Sequence, residues 1–220
     1  MIRVTPALEP DDFDSKVRQK GLSALAEMVG EPPSVTRRGR KRVKKIWGRR
    51  DDIPASEFPP FWTKALDDLL TAYDRLCAYT ALYIHHATGA PSVDHLVPKS
   101  RHWDKAYEWT NYRLACSLVN TKKGVQDVLD PFEIQDDWFE LELVGFQVRA
   151  GPDVARGIRE QVDKTIIDLG LNRFDCRKAR EDYAENYWSA NISLAYLEQR
   201  APFVARELRR QGRLLACDGA

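Results

Sequence analysis

Apolar positions along this chain switch between helical and strand spacing, and the switches mark its elements. Phe13, Val17, Leu22, Leu25 and Met28 fall roughly on one helical face, which Gly21 interrupts. Residues 31–60 lose the period, are rich in Pro, Gly and basic residues, and read as a long loop. Phe61, Leu66, Leu69, Leu70 and Tyr73 restore a helical stripe. CAYTALYI, residues 77–84, then leans towards strand, and HHATGAPS reads as a turn or loop. SVDHLVP is a second strand-like segment, halted at Pro98. Residues 99–114 read as irregular, with Trp103, Tyr107, Trp109 and Tyr112 anchoring them to a core. Ser117 is placed to cap a helix running through Asn120 and Lys123 to about Gly124.

After Asp130-Pro131 the pattern changes. DWFELELVGFQVRAG alternates apolar and polar residues, with Gly145 near its middle, and predicts a β-hairpin. Val154, Ile158, Val162, Ile166 and Leu169 predict a helix that Gly170 ends. Two more helices are expected, roughly 173–198 and 201–215, with Pro202 in the first turn of the second. No internal repeat is visible. The expected class is α+β.

Composition narrows the setting. Hydrophobic residues make up 43% and charged residues 30%, ordinary for a globular protein. No apolar run approaches the ~18 residues of a membrane span, and the N-terminus has no apolar signal region, so a cytoplasmic protein without membrane contact is expected. Cys77, Cys116, Cys176 and Cys217 form no C-x-x-C pair and are expected to be free thiols, mostly buried. The net charge of +1 conceals a block: residues 36–50 hold nine Lys or Arg and no acid, against 25 basic and 33 acidic residues elsewhere. Such a block suits a polyanionic partner.

The candidate chemistry lies in VDHLVPKSRHWDKAYEWTNYRLACSLVNTKKG. Asp94 and His95 stand side by side, Pro98 follows, Asn111 comes sixteen residues after His95, and Asn120 nine residues after that, with Lys123 beyond. A histidine can act as a base near neutral pH. A hard divalent cation on oxygen ligands can neutralise charge on a phosphate. Neighbours on a regular strand point to opposite faces, so the chain must bend near His95 for both residues to serve one site.

These residues strongly resemble the HNH endonuclease motif of the ββα-metal, or His-Me finger, family: Asp94-His95-x-x-Pro98, Asn111-Tyr112, Cys116, Asn120-x-x-Lys123. The resemblance implies a small ββα-metal core embedded in a mainly helical domain with an additional hairpin. With the pattern of elements it divides the chain into three expected segments: 1–60, an N-terminal helix and basic loop read from the residues alone; 61–127, the nuclease core; and 128–220, the hairpin and C-terminal helices. It implies that His95 is the general base, that Asp94 and Asn120 hold Mg²⁺ or Mn²⁺, and that Asn111 braces the loop carrying His95. Asn120 stands where many relatives have histidine, making this an HNN variant. Two zinc knuckles of many relatives correspond to Cys77-Ala-Tyr-Thr80 and Cys116-Ser-Leu-Val119, each lacking its second cysteine, so no structural zinc is expected.

The implied activity is metal-dependent hydrolysis of nucleic acid, with DNA favoured. Lys99, Arg101, Arg113, Lys122 and Lys123 around the motif are expected to hold the phosphate backbone. Arg40, Lys41, Arg42, Lys44 and Lys45 of the basic block are expected to add to this, with Trp47 stacking on a base. AYEWTNYRLAC, VLDPFEI and TIIDLGLNRFDCRKAR further resemble small bacterial HNH proteins that partner ATPases in anti-phage systems of the Septu and retron type, over residues 60–185. Two alternatives stay open: a silent HNH core that only binds nucleic acid, and a nuclease active only beside an ATPase-type partner.

Overall fold

Gly21 does not interrupt the first helix. In the computed structural model, which describes residues 1–35 and 46–219, a π-helical turn at Asp14–Arg18 runs into α1, Gln19–Met28. A Cβ on Gly21 would lie 2.3 Å from the Tyr107 ring, so the missing side chain is what lets that ring lie against the helix. Phe13 and Val17 are fully buried, and Phe13 meets Trp109 and Tyr112 edge-on at 5.5 and 5.8 Å between centroids. The N-terminal helix is therefore built into the core that carries the candidate motif.

A 3₁₀ turn at Phe61–Ala65 leads into α2, Leu66–Ala72. CAYTALYI, expected to lean towards strand, is a tight turn. The Cys77 N–H donates to the Leu82 carbonyl, the Ala81 N–H to that of Cys77, and Ala81 takes φ 52°. Only a single bridge, Leu76 to Tyr83, survives of strand pairing there. Apolar composition here reflects burial, with Cys77 and Tyr79 almost wholly enclosed, and burial does not distinguish a turn from a strand.

β1, Pro91–His95, pairs antiparallel with β2, Tyr112–Cys116, placing His95 opposite Tyr112 and Asp94 opposite Arg113. β2 begins inside the stretch expected to be irregular. Its first four residues are all buried, so it shows no alternation for a period-two reading to find. α3, Ser117–Lys123, follows directly and packs against both strands. Ser117 does not cap it: its hydroxyl donates to the Ala90 carbonyl. Gly124, at φ 53°, ends it.

β3, Phe139–Leu141, and β4, Val148–Ala150, form the second antiparallel pair. α4, Arg156–Leu169, ends at a left-handed Gly170 (φ 63°). The helix expected over 173–198 is two helices, α5, Phe174–Trp188, and α6, Leu194–Arg200. Ala190 turns the chain at φ 56°, and the Ser193 hydroxyl accepts the Tyr196 N–H to start α6. α7, Pro202–Arg210, has its proline in the first turn. The fold is thus mixed α+β, with two small antiparallel pairs among the described residues. One hydrophobic cluster draws on all three segments, from Met1 and Phe13 through Tyr112 to Leu208. No helix among the described residues is long and apolar enough to cross a membrane.

Candidate functional site

β1 ends at His95, and its last two residues line one cleft of about 290 Å³ together with Trp62, Pro98, Lys99 and Asn120. Their side chains are held from different sides. The His95 ring is 9% exposed and sits between Trp62 and Tyr112, both edge-on, at 5.0 and 5.2 Å. Its Nε2 lies 2.9 Å from the Ala106 carbonyl oxygen. A carbonyl can only accept, so Nε2 carries the proton and Nδ1 keeps the lone pair. Burial is the main cause that lowers the His95 pKa to about 4, with Lys99 and Lys123 acting in the same direction against the Ala106 bond. The ring is therefore a neutral base at pH 7.

Asp94 is 3% exposed. One carboxylate oxygen accepts from the Tyr79 hydroxyl, the other from Lys123 Nζ at 3.1 Å. Lys123, with no exposed surface, also donates to the carbonyls of His95 (2.7 Å) and Leu96 (3.3 Å). One ammonium thus fixes both the carboxylate and the point where the chain leaves β1. Burial nonetheless raises the Asp94 pKa, because desolvation outweighs the opposing Lys123 charge and hydrogen bonds.

Asn111 closes the loop after the strand. Its Oδ1 accepts the Val97 N–H at 2.8 Å, and its Nδ2 donates to the carbonyls of Val97 and Lys105, both at 3.0 Å. Lys105 neighbours Ala106, so the same side chain steadies the carbonyl that orients His95. Asn120 sits on α3 and donates through Nδ2 to the Ser92 hydroxyl (3.0 Å) and the Val93 carbonyl (3.4 Å). The carbonyl partner fixes which end of the amide is nitrogen, and Oδ1 is left without a partner among the described residues.

The donors that remain are oxygen atoms: the second lone pairs of the Asp94 carboxylate and Asn120 Oδ1. This set fits a hard cation that keeps much of its water or takes phosphate oxygens, since Mg²⁺ is commonly held by one or two protein groups. Among the described residues no group of three or more His, Cys, Asp or Glu gathers as a metal cluster.

The expected phosphate contacts divide. Lys99 lines the cleft, half-buried, donating to the Ala55 carbonyl at 2.6 Å with its ammonium 4.9 Å from the Trp62 ring centroid. Lys122 is exposed on α3, and Arg101 is exposed and paired with Asp127 at 2.5 Å. Arg113 and Lys123 correct the expectation. Arg113 is 2% exposed, with its guanidinium on both Asp130 carboxylate oxygens and stacked 3.5 Å over Phe132. Lys123 is committed to Asp94. Neither can reach a phosphate without abandoning its carboxylate, Asp94 buried and Asp130 partly so. Arg40, Lys41, Arg42, Lys44 and Lys45 lie outside the described residues. Trp47 is half-buried against the core, and its backbone N–H donates to the Met28 carbonyl.

Tyr79, Trp62 and the Ala106 carbonyl were not assigned roles from the sequence. Tyr79 lies in the 77–82 turn, and nothing in its local pattern connects it to Asp94 fifteen residues on. A carbonyl leaves no trace in residue type at all. No protein-family model matches this sequence, and no curated protein matches it.

Proposed function

We propose that this chain is a metal-dependent HNH-type nuclease hydrolysing phosphodiester bonds of nucleic acid, with DNA the favoured substrate. On this reading β1, β2 and α3 constitute a ββα-metal core. The observation that carries it is the His95 ring: neutral, with Nε2–H anchored on Ala106 and Nδ1 free, in the same cleft as the Asp94 carboxylate and the Asn120 carbonyl. His95 takes the proton of an attacking water at Nδ1. Trp62 and Tyr112 hold the ring, and the Tyr112 hydroxyl donates to the same Ala106 carbonyl at 2.9 Å, keeping that acceptor in place. Asn111 fixes the loop, so ring and carboxylate keep their relation. Asp94 and Asn120 would hold Mg²⁺ or Mn²⁺, which supplies neutralisation of charge on the phosphate and on the leaving oxygen. Lys123 and Tyr79 keep Asp94 in position.

One observation favours a partner-dependent form of this reading. Asp94 is nearly enclosed, and both its oxygens are already bonded. A nuclease woken by an ATPase-type partner would gain by loosening that enclosure.

The test is cleavage of supercoiled and linear DNA with Mg²⁺, Mn²⁺ or EDTA, by wild type and His95→Ala. Cleavage that requires metal and disappears in the variant supports the reading. Metal-independent cleavage, or cleavage undiminished in His95→Ala, rejects His95 as the base.

A further inference from the structure

A second cluster of reactive side chains lies away from the cleft. Cys77 opens the 77–82 turn, and Cys116 ends β2. The two segments are bonded together: the Ala78 N–H donates to the Leu114 carbonyl at 2.8 Å, and the Cys116 N–H to Cys77 Sγ at 3.5 Å. Both thiols line a cavity of about 200 Å³, walled also by Thr88, Leu118 and Cys176. Cys77 is buried, Cys116 partly open, and Cys217 exposed.

We propose that Cys77 and Cys116 are a peroxide-reactive pair that closes to an intramolecular disulfide. The proposal is independent of the nuclease reading. The co-reactant is hydrogen peroxide, small enough for that cavity. The Cys77 thiolate attacks one peroxide oxygen, the O–O bond breaks, and the departing hydroxide takes up a proton to become water. Cys77 is then a sulfenic acid. The Cys116 sulfur attacks it, the S–S bond forms, the S–OH bond breaks, and the second hydroxide leaves as water with the Cys116 proton. Two thiols are oxidised and one peroxide is reduced.

The polarity of the pair matches this order. Burial pushes the Cys77 thiol up, but the hydrogen bonds from Cys116 and Thr80 together outweigh it and favour the thiolate. Cys116, which donates to Cys77 and is itself partly buried, is pushed up. The closed bridge would tie the turn carrying Tyr79 to the β2–α3 junction.

The experiment treats the reduced, folded full-length chain with hydrogen peroxide and maps tryptic peptides without reduction. Each cysteine falls in its own peptide: 76–99, 114–122, 174–177 and 214–220. The expected product is peptide 76–99 joined to 114–122, a whole-chain mass lower by two hydrogens, and reversal by dithiothreitol. In Cys116→Ala, Cys77 should accumulate as a sulfenic acid that a 1,3-dione traps. Oxidation of Cys217 while peptides 76–99 and 114–122 stay as free thiols would overturn the proposal. So would joining of 76–99 to 174–177, which would make Cys176 the partner.

Discussion

Replacing Lys123 with Met isolates the buried charge pair beneath the candidate site. Methionine nearly preserves the volume of the aliphatic stem, so the change removes mainly the ammonium. At 3.1 Å and an effective dielectric of about 20, the gross attraction to Asp94 is roughly 5 kcal/mol. The desolvation of both groups offsets part of that; deleting the lysine returns only its own share and leaves the cost of burying Asp94 in place. Asp94 would remain 3% exposed with only Tyr79 as donor, and the carbonyls of His95 and Leu96 would lose their shared donor. The expected destabilisation is therefore about 3–5 kcal/mol, the range for breaking a buried pair from one side. Urea unfolding at pH 7, followed by tryptophan fluorescence, measures it. Adding Asp94→Asn removes the orphaned charge and should recover about 2 kcal/mol. The single variant should also gain stability on acidification, because Asp94, already raised by burial, then binds a proton more readily folded than unfolded. A loss below about 1 kcal/mol, typical of an exposed pair, would refute the reasoning.

Other predictions follow from the same geometry. His95, lowered to about 4 from an ordinary 6.5, binds fewer protons folded than unfolded between those values, so its contribution is present above pH 6.5 and lost as pH falls through 4. Comparing urea unfolding of wild type and His95→Gln at pH 7 and near pH 4 should show wild type losing about 3 kcal/mol more. Asn111→Ala leaves the Val97 N–H and two carbonyls without their partner, at a cost of about 2 kcal/mol or more in thermal or urea unfolding; a neutral result would show the loop holds without it. Gly21→Ala should destabilise by about 1–3 kcal/mol despite alanine's higher helix propensity, since the Tyr107 ring must move; calorimetry showing a raised Tm would disprove the contact. Arg113→Met should cost about 1.5–3 kcal/mol in urea unfolding by removing the guanidinium from the partly buried Asp130, whereas Lys122→Ala should leave stability within about 0.5 kcal/mol.

Local pattern alone determined the amphipathic elements of this protein. Leu169 with Gly170 marks the end of α4, Pro202 the start of α7, and the alternation around Phe139 and Val148 the second hairpin, because helix ends and half-buried strands write their periods and caps into adjacent residues. The order Asp94, His95, Asn111, Asn120 was also legible, and three of these residues, Asp94, His95 and Asn120, line one cleft. Only the tertiary structure decided the rest. Residues 77–84 and β2 are both buried and apolar, so period could not separate turn from strand there. Gly21 is open to a ring from Tyr107, eighty-six positions away, and Ser193 starts a helix where the apolar pattern ran on. The fates of Lys123 and Arg113 were invisible for the same reason. A basic residue beside a motif is equally suited to a phosphate and to a carboxylate, and only packing shows that Asp94 and Asp130 already claim them.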